Sequence, residues 1–422
     1  MSTGTHRPLE AKLIALARDD AEDPLLLVAL DLGWWMSAED EWSLRGSILA
    51  ATGLEPENLI LALTHTHSGP SIARGDADAA GGDLIGPYLD GIERSISSTA
   101  AQVLLRLEPC LIDWARGSCD LAVNRDLYRA DEGRYVVGAN PCGETDSALV
   151  VGRLTTAGGA TLAVIGNYAM HATSLGGENT MVSPDFVGAA RELVESEHDC
   201  TFVFLQGASG DLSPREQYSS DPATADKHGR TLGLSVLSVI NNMLEPGTTL
   251  CYERTIESGA PLGNYVSTPL TVTGPLEGQK VEIELPTQRN TPAASPNPAV
   301  QADRELRAAR IRSNVEESMT TFPVTVWTIG DTRVIAYPGE AYSDLQKTLR
   351  AEFPDRILVF VNLANGAHLG YLPPAAAYAE GRYPAWQSPL GPGSLELLID
   401  ASRAQLQAQC SAPRPAALGA RT

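Results

Sequence analysis

Short apolar runs of strand length alternate along the chain with stretches in which apolar residues recur every three or four positions. The runs predicted to be buried strands are Leu25–Asp31, Leu59–Leu63, Leu162–Ile165, Phe202–Leu205 and Ile357–Leu363. The stretches with helical spacing are Val187–Glu195, Leu232–Leu244, Ala302–Met319 and Ser394–Gln409. This alternation of strands and helices predicts an α/β fold.

The region from residue 258 to residue 301 breaks the alternation, because it is rich in Thr, Pro and Gly. Apolar and acidic residues alternate at Val281–Leu285, which predicts a hairpin or a strand excursion followed by a surface loop over Pro286–Pro298. A later hairpin is predicted for Val324–Ile329 and Arg333–Ala336. No linker or internal repeat divides the chain, so we expect one domain over residues 1–410 and a disordered tail over residues 411–422.

The chain has 422 residues, of which 43% are hydrophobic, and a formal net charge of −21. That apolar content is enough for a buried core, whereas the acidic surface disfavours nucleic acids and anionic membranes as partners. No apolar run is long enough to span a bilayer, and the N-terminus lacks the apolar core of a secretory signal. The six cysteines are scattered, which is typical of reduced thiols. We therefore expect a cytoplasmic location.

Two of the seven histidines, His65 and His67, directly follow the predicted strand Leu59–Leu63. Alternation along an extended chain would place both on one face, at the end of a strand where α/β proteins carry active sites. His171 follows the predicted strand Leu162–Ile165, so three imidazoles could converge on one ion. Neutral imidazole is a favoured zinc ligand, and a catalytic zinc keeps one position open for water. The alternative for His171 is a hydrogen-bonded core residue, and that interpretation is kept for the remaining histidines, His6, His198, His228 and His368.

A glycine-rich turn carries the next candidate residues, Asp211 and Ser213, directly after the predicted strand Phe202–Leu205. Its sequence is QGASGDLSPR, and the glycines allow close approach of the backbone to a ligand. Asp211 and Ser213 would then face the mouth of a site. The alternative is an ordinary Asx turn followed by a helix that starts at Ser-Pro.

Two later clusters add a carboxylate and several tyrosines. Glu340 follows the predicted strand Arg333–Ala336 in the sequence Tyr-Pro-Gly-Glu, where it could be a metal ligand or a general base. The alternative is a glutamate that complements the dipole at a helix N-terminus. Tyr371 lies in a Gly-Tyr-Leu-Pro-Pro segment, and Tyr378 and Tyr383 follow seven and twelve residues later. Tyrosines near proline can equally be packing residues with satisfied hydroxyls.

Taken together and in this order, these motifs resemble those of the neutral/alkaline non-lysosomal ceramidase family. The matching elements are Thr64–Pro70, Asn124-Arg125, Asn167–His171, Gly210–Pro214, Pro338–Glu340, and Gly370-Tyr371 with Tyr378 and Tyr383. The resemblance spans roughly residues 8–410. It implies a mixed β-sheet core flanked by helices, as in the catalytic domain of that family. Too few residues follow Tyr383 for the family's C-terminal β-sandwich, so we expect the catalytic domain without it.

The resemblance also implies a ligand set and a catalytic set. By position, a zinc ion would be held by His65, His171, Glu340 and Tyr371. The residues implied to be catalytic are Ser213, His67, Arg125 and Tyr383. Of these, His67 and Arg125 would contact the substrate carbonyl or the oxyanion, and Tyr383 would contact the substrate. Ser213 would be a nucleophile or a hydrogen-bonding group on the reacting amide, and Asp211 would support the turn or orient a ligand.

The function that these residues imply is zinc-dependent hydrolysis of a linear amide by metal-activated water. Aromatic residues make up only 6% of the chain, and no apolar rim for membrane docking is evident. We therefore expect a small-molecule amide, an N-acyl compound or a specialised metabolite, rather than membrane ceramide. Two alternatives stay open: a zinc-dependent esterase or lyase acting on a soluble metabolite, and a non-catalytic, metal-binding member of the family. Homo-oligomer formation also stays open.

Overall fold

The computed structural model describes residues 2–18, 23–270, 274–289 and 291–408. The predicted disordered tail, residues 411–422, lies outside the described residues. The single-domain organisation stays a prediction. Among the described residues, no helix combines the length and the apolarity needed to cross a membrane.

Strands and α-helices alternate along the described residues. The strands are β1 (Gly4–Thr5), β2 (Ala11–Leu16), β3 (Leu25–Leu30), β4 (Leu59–Leu63), β5 (Cys110–Ser118), β6 (Ala122–Asn124), β7 (Asp126–Arg129), β8 (Arg134–Val137), β9 (Ala148–Thr156), β10 (Thr161–Tyr168), β11 (Met181–Val182), β12 (Thr201–Gln206), β13 (Leu212–Pro214), β14 (Thr248–Ile256), β15 (Leu262–Pro269), β16 (Leu276–Pro286), β17 (Met319–Ile329), β18 (Thr332–Ala336), β19 (Glu340–Ala341), β20 (Leu358–Val361) and β21 (Tyr371–Leu372). The α-helices are α1 (Ala38–Thr52), α2 (Ile85–Leu104), α3 (Phe186–His198), α4 (Pro222–Asn242), α5 (Pro298–Arg312), α6 (Asp344–Glu352), α7 (Ala375–Ala379), α8 (Tyr383–Gln387) and α9 (Ser394–Ala408).

Three mixed sheets form the main body of the described residues. Their strand orders are β2-β3-β4, β12-β10-β9-β5 and β16-β17-β18-β20. Each sheet has one parallel pair beside its antiparallel pairs: β3 with β4, β10 with β12, and β18 with β20. The predicted hairpin of residues 324–336 is β17–β18. The predicted α/β class, with a mixed β-sheet core flanked by helices, is confirmed.

Burial of strands on both faces explains why the apolar runs are nearly continuous in sequence. Every residue of β3 and β4 is buried, as expected for strands covered on both sides. One face joins the other two sheets in a shared core that includes Ile60, Val203 and Trp327. The other face is covered by α1 and α2, whereas α3 and α4 cover the second sheet and α6 and α9 cover the third. Because the three sheets pack on one another, residues that follow β4, β10 and β18 can meet.

The helix predicted over Leu232–Leu244 begins earlier than its apolar spacing indicates. The structure places its first residue at Pro222, directly after Asp221. The Asp221 carboxylate accepts a hydrogen bond from Ala223 N at 3.0 Å, and proline is favoured in the first turn because no amide hydrogen is needed there. The cap therefore sets the start of α4.

The helix predicted over Ala302–Met319 is displaced towards the N-terminus, to Pro298–Arg312. Asn297 caps it by accepting a hydrogen bond from Ala299 N at 3.0 Å. The prediction is wrong for its last residues, because Met319 begins β17, which pairs along its full length with β16. This displacement matters for function, since α5 contributes residues to the candidate site.

The region from residue 258 to residue 301 differs in detail from the prediction. Among the described strands, β14 and β15 pair only with each other, as a hairpin that begins before residue 258. The predicted strand at Val281–Leu285 is part of the longer β16, which runs to Pro286. The predicted surface loop follows that strand and leads into α5.

Candidate metal centre and active site

The first two histidines lie in the loop that follows β4. Backbone hydrogen bonds tie this loop to the end of β3, since Thr64 N donates to Leu30 O at 2.9 Å and His65 N donates to Leu32 O at 3.0 Å. His65 has a backbone φ of 68°, a left-handed conformation that is uncommon for residues other than glycine. The extended alternation assumed from the sequence therefore fails at His65. The rings of His65 and His67 still reach the same place, with centroids 4.7 Å apart.

A buried ion pair supports this loop. Two guanidinium nitrogens of Arg191 each lie 2.8 Å from a carboxylate oxygen of Asp31. Thr64 Oγ1 donates a further hydrogen bond to Asp31 Oδ1 at 3.1 Å. All three side chains are buried. Because a bidentate pair is specific in its geometry, it fixes the start of the loop that carries His65.

The Nδ1 atoms of His65 and His171 both lie against backbone carbonyls. His65 Nδ1 is 3.2 Å from Gly33 O, and His171 Nδ1 is 2.7 Å from Ser209 O. Because a carbonyl oxygen only accepts, each Nδ1 carries a proton, and the Nε2 of each ring faces the site. Burial, and then the charge of Arg125, lowers the pKa of His171 to about 3, so its ring is neutral at pH 7. Histidines that ligate metals are commonly oriented by such a second hydrogen bond.

Glu340 completes a convergent set of donor atoms. Its Oε2 lies 2.8 Å from His171 Nε2 and 3.2 Å from His65 Nε2. Within the described part of the chain, neither Glu340 Oε2 nor His171 Nε2 has a hydrogen-bond partner of good geometry. At these distances the lone pairs of the two Nε2 atoms and of the buried carboxylate repel one another unless a cation lies between them. The donor set therefore fits a metal ion.

His67 brings a third imidazole to the same point. One ligand atom from each of His65, His67 and His171 lies within 4.8 Å of the others, and His67 Nε2 is 3.4 Å from His65 Nε2. The pKa of His67 lies well below its ordinary value, first because protein surrounds the ring and then because His65 and His171 are close. One side of the ring nevertheless opens into a cavity. His67 is therefore neutral and accessible, and it can bind an ion or accept a proton.

Glu340 and Tyr371 meet because the short strands β19 and β21 pair in parallel, with these two residues opposite each other in the register. The Tyr371 ring stacks on His171, with centroids 6.3 Å apart and planes inclined by 19°. Burial, and then the charge of Glu340, raises the pKa of Tyr371 well above its ordinary value. The structure thus brings Tyr371 to the candidate centre, and its role as a ligand stays a prediction.

Ser213 and Arg125 are placed by β13 and β6, which pair with each other. Residues 212–214 therefore form a strand, not the helix start considered as an alternative. Arg125 donates to Gly210 O through Nε at 3.1 Å and Nη2 at 2.7 Å, and its Cζ lies 5.5 Å from the Tyr371 ring centroid. The Ser213 hydroxyl is fully buried and has no hydrogen-bond partner among the described residues. A buried hydroxyl left unpaired costs about 1–3 kcal/mol, so its retention favours a functional role.

Asp211 supports the turn between Gly210 and β13. Its Oδ1 accepts a hydrogen bond from Ser343 N at 2.6 Å, and its Oδ2 accepts one from Ser343 Oγ at 2.8 Å. Arg125 N donates to the Asp211 carbonyl at 2.8 Å. Burial raises the pKa of the Asp211 carboxyl to about 7, against the opposing effect of the Ser343 hydrogen bonds. Asp211 therefore links the strand that carries Ser213 to the segment after Glu340.

The raised pKa of Asp211 predicts a pH-dependent stability that Asp211→Asn removes. Between about pH 4 and pH 7 the folded protein keeps a proton that the unfolded chain has released, so the free energy of unfolding falls as the pH rises. Between pH 6 and pH 8 this loss is on the order of 1 kcal/mol. Urea unfolding at both pH values should show the loss in the wild type and a smaller loss in the variant, whose amide can donate to Ser343 Oγ. An identical pH dependence in both proteins would contradict this assignment.

Sequence reasoning missed two residues that the structure places at the centre. His368 Nε2 lies 2.7 Å from Glu340 Oε1, and both side chains are buried. His368 could have been identified from its position three residues before Tyr371. The Trp34 ring lies 5.7 Å from the His65 ring and 5.1 Å from the His67 ring, measured between centroids. Nothing in the local sequence distinguishes Trp34 from a packing residue.

The converging side chains line a small cavity of about 40 Å³. Its apolar lining comes from Trp34, Met36 and Ile311, and its polar lining includes His65, His67, Arg307, Glu340, Tyr371 and Tyr383. It is a small cup of mixed polarity. Tyr378 is not among its lining residues, and its hydroxyl donates to Leu390 O at 2.8 Å. A larger cavity of about 480 Å³ lies between α2 and the strands β2 and β3 and contains none of the converging histidines.

No protein-family model matches this chain. Among solved structures, the neutral ceramidase from Pseudomonas aeruginosa is similar, with a TM-score of 0.68 and 18% sequence identity over 99% of this chain and 72% of that chain. A ceramidase complexed with C2 is also similar, with a TM-score of 0.67 and 19% identity over 99% of this chain and 73% of that chain. At these identities the likeness establishes the fold alone. The chain therefore has a neutral-ceramidase-like α/β fold, as its ordered motifs predict.

Proposed function

We propose that this protein is a zinc-dependent hydrolase that cleaves the carbon–nitrogen bond of a linear amide. One observation carries the proposal: the Nε2 atoms of His65 and His171 converge with Oε2 of Glu340 in a buried site. The neutral-ceramidase-like fold supports an amide as the bond that is cleaved, since the two similar structures are ceramidases.

We propose His65, His171, Glu340 and Tyr371 as the zinc ligands. Two imidazole nitrogens, a carboxylate oxygen and a phenol oxygen make a nitrogen and oxygen donor set of the kind that zinc accepts. When bound, zinc would polarise the substrate carbonyl and lower the pKa of a water molecule to about 7.

His67 is proposed as the residue that moves protons. Its imidazole is neutral at pH 7, because its pKa lies well below the ordinary value, and it lines the cavity. A neutral imidazole in this position can take a proton from the attacking group and deliver it to the leaving amine. General acid–base catalysis of this kind contributes roughly 10²–10⁴ in rate.

Arg125, Tyr383 and Ser213 are proposed to bind the oxygen that becomes negative as the amide carbonyl is attacked. Arg125 keeps its charge although it is buried, because the neighbouring Tyr371 and Glu340 raise its pKa against the effect of burial. Tyr383 lines the cavity, with its ring centroid 5.8 Å from that of Tyr371. Ser213 supplies a hydroxyl as a hydrogen-bonding group or as a nucleophile. Each well-placed donor contributes about 3–4 kcal/mol to the transition state.

The small cup supports a compact amide, an N-acyl compound or a specialised metabolite, over membrane ceramide. A cavity of about 40 Å³ with mostly polar lining favours a compact, polar substrate over a long acyl chain. Among the described residues the cysteines are free thiols: Cys110, Cys119, Cys142, Cys200 and Cys251. Free thiols are typical of a reducing compartment, so we propose a cytoplasmic location.

Removal of the metal is the experiment that tests this function. Treatment with a chelator is expected to lower kcat/KM on an N-acyl amide by at least about 100-fold, and one equivalent of zinc should restore it. The assay compares an amide with an ester that share one acyl group and follows release of the amine and the alcohol. A preference for the ester by orders of magnitude would favour the esterase alternative. Stoichiometric zinc with no turnover of either substrate would favour the non-catalytic alternative.

A further inference from the structure

The mouth of the cavity is formed in part by α5, the helix that begins at Pro298. Arg307 and Ile311, one turn apart on this helix, both line the cavity together with His67 and Tyr383. Ile311 is buried, whereas the side chain of Arg307 is half-exposed. A long cationic side chain therefore stands at the exposed edge of the cavity, whose other polar lining comes from imidazoles, phenols, a carboxylate and an amide.

The other arginines of α5 are each held by contacts outside the cavity. Arg304 donates to Ala293 O at 2.7 Å and lies over the Trp386 ring, with Cζ 5.5 Å from its centroid. Arg310 pairs with Asp76, and Arg312 donates to Glu316 O at 3.1 Å. Neither Arg304, Arg310 nor Arg312 lines the cavity. Arg307 is thus the arginine that this helix presents to the site.

The contact that Arg307 makes is one that an incoming anion can replace. Its Nε lies 3.1 Å from Asp303 Oδ2, one turn earlier on the same helix, and the two side chains are 49% and 56% exposed. Exposed pairs of this spacing contribute little to stability.

We propose that Arg307 binds a carboxylate of the substrate, and that the preferred substrates are therefore N-acyl amino acids or similarly compact amides with a carboxylate near the scissile bond. This inference rests on the proposed amide hydrolysis. The reacting carbonyl occupies the small cup, and the carboxylate lies at its mouth, where guanidinium can hold it through two parallel hydrogen bonds. Trp34, Met36 and Ile311 provide apolar contacts for the remaining groups. In a chain of net charge −21, a local cation is needed to attract such an anion.

The test compares matched substrates in wild-type protein and in two variants. N-acetylalanine is paired with N-ethylacetamide, which has the same acyl group and lacks the carboxylate. The wild type is expected to prefer N-acetylalanine by about 10- to 100-fold in kcat/KM, mainly through a lower KM. Arg307→Gln should reduce that preference to about 1, and Arg307→Lys should restore part of it. Arg312→Gln, an equal loss of charge on the same helix, should leave the preference unchanged.

Binding of N-acetylalanine to the metal-free protein, measured by calorimetry, separates this inference from the proposed function. The expected result is a Kd at least about 10-fold weaker for Arg307→Gln than for the wild type, whether or not any amide is cleaved. Equal Kd values for the wild type and Arg307→Gln would overturn the inference. It would also be overturned if the wild type turned over both substrates equally and Arg307→Gln lost the same fraction of its activity on each. If no amide is hydrolysed with any metal, the proposed function fails, and the calorimetric comparison alone decides whether Arg307 binds a carboxylate.

Discussion

Replacement of Glu340 by glutamine is expected to remove the metal and to lower kcat/KM by at least about 10³-fold. The substitution keeps the shape of the side chain and takes away its negative charge. In the wild type this charge lies 2.8 Å and 3.2 Å from the Nε2 atoms of His171 and His65 and is almost completely buried. A neutral amide there would leave two imidazoles without the anion that balances a divalent cation. Zinc content after dialysis and amide turnover would be measured together.

Glu352→Gln is the matched control for this experiment. Glu352 ends α6 and pairs with Arg403 at 2.6 Å on the protein surface, so the same chemical change occurs in water. Exposed pairs are worth about 0–1 kcal/mol, and we expect full zinc content and unchanged turnover. If Glu340→Gln kept one zinc per chain and near-wild-type activity, Glu340 would not be a ligand.

Ser213→Ala is expected to reduce turnover by about 10²–10³-fold while the protein keeps its metal and its stability. The Ser213 hydroxyl is buried and has no partner among the described residues, so its removal breaks no internal hydrogen bond. Loss of an unpaired buried hydroxyl leaves the free energy of unfolding unchanged or raises it. A fall in activity at constant stability would therefore come from lost contact with the reacting amide.

Ser402→Ala provides the comparison that separates chemistry from folding. Ser402 is also buried with an unpaired hydroxyl, but it lies in α9, which carries none of the proposed site residues. Thermal unfolding, zinc content and kcat would be measured for both variants. We expect similar stability changes in both and a loss of kcat in Ser213→Ala alone. Wild-type turnover by Ser213→Ala would show that this residue takes no part in the reaction.

The sequence predicted the members of the candidate centre better than it predicted how they come together. Buried strands with continuous apolar runs end at polar clusters, and this local signal suggested that His65, His67 and His171 could converge, as their ligand atoms do. Glu340 was joined to them only by the family resemblance, and it lies beside His65 and His171. The reason given for His65 was incomplete, since its left-handed backbone replaces the extended alternation that the sequence suggested. A loop held by tertiary hydrogen bonds overrides the local preference of its residues.

Contacts between distant segments lay beyond sequence reasoning. The pairing of β19 with β21 is only two residues long, too short to leave a periodic signal, yet it sets Glu340 beside Tyr371. His368 was interpreted as a core histidine because a lone histidine has no motif, and only the fold brings its Nε2 to Glu340. The start of α5 was missed because the cap at Asn297 precedes its apolar periodicity. Arg307 lies within the predicted helix, but no local motif links it to the site.

The central claim is that one divalent ion is held where the Nε2 atoms of His65 and His171 approach Glu340 Oε2. X-ray diffraction from crystals of the purified protein, recorded on both sides of the zinc absorption edge, tests it most directly. The account predicts a single strong anomalous peak within coordination distance of those three atoms, about 2.0–2.2 Å from each. A zinc-loaded crystal with no peak there, or with its peak among other side chains, would contradict the account.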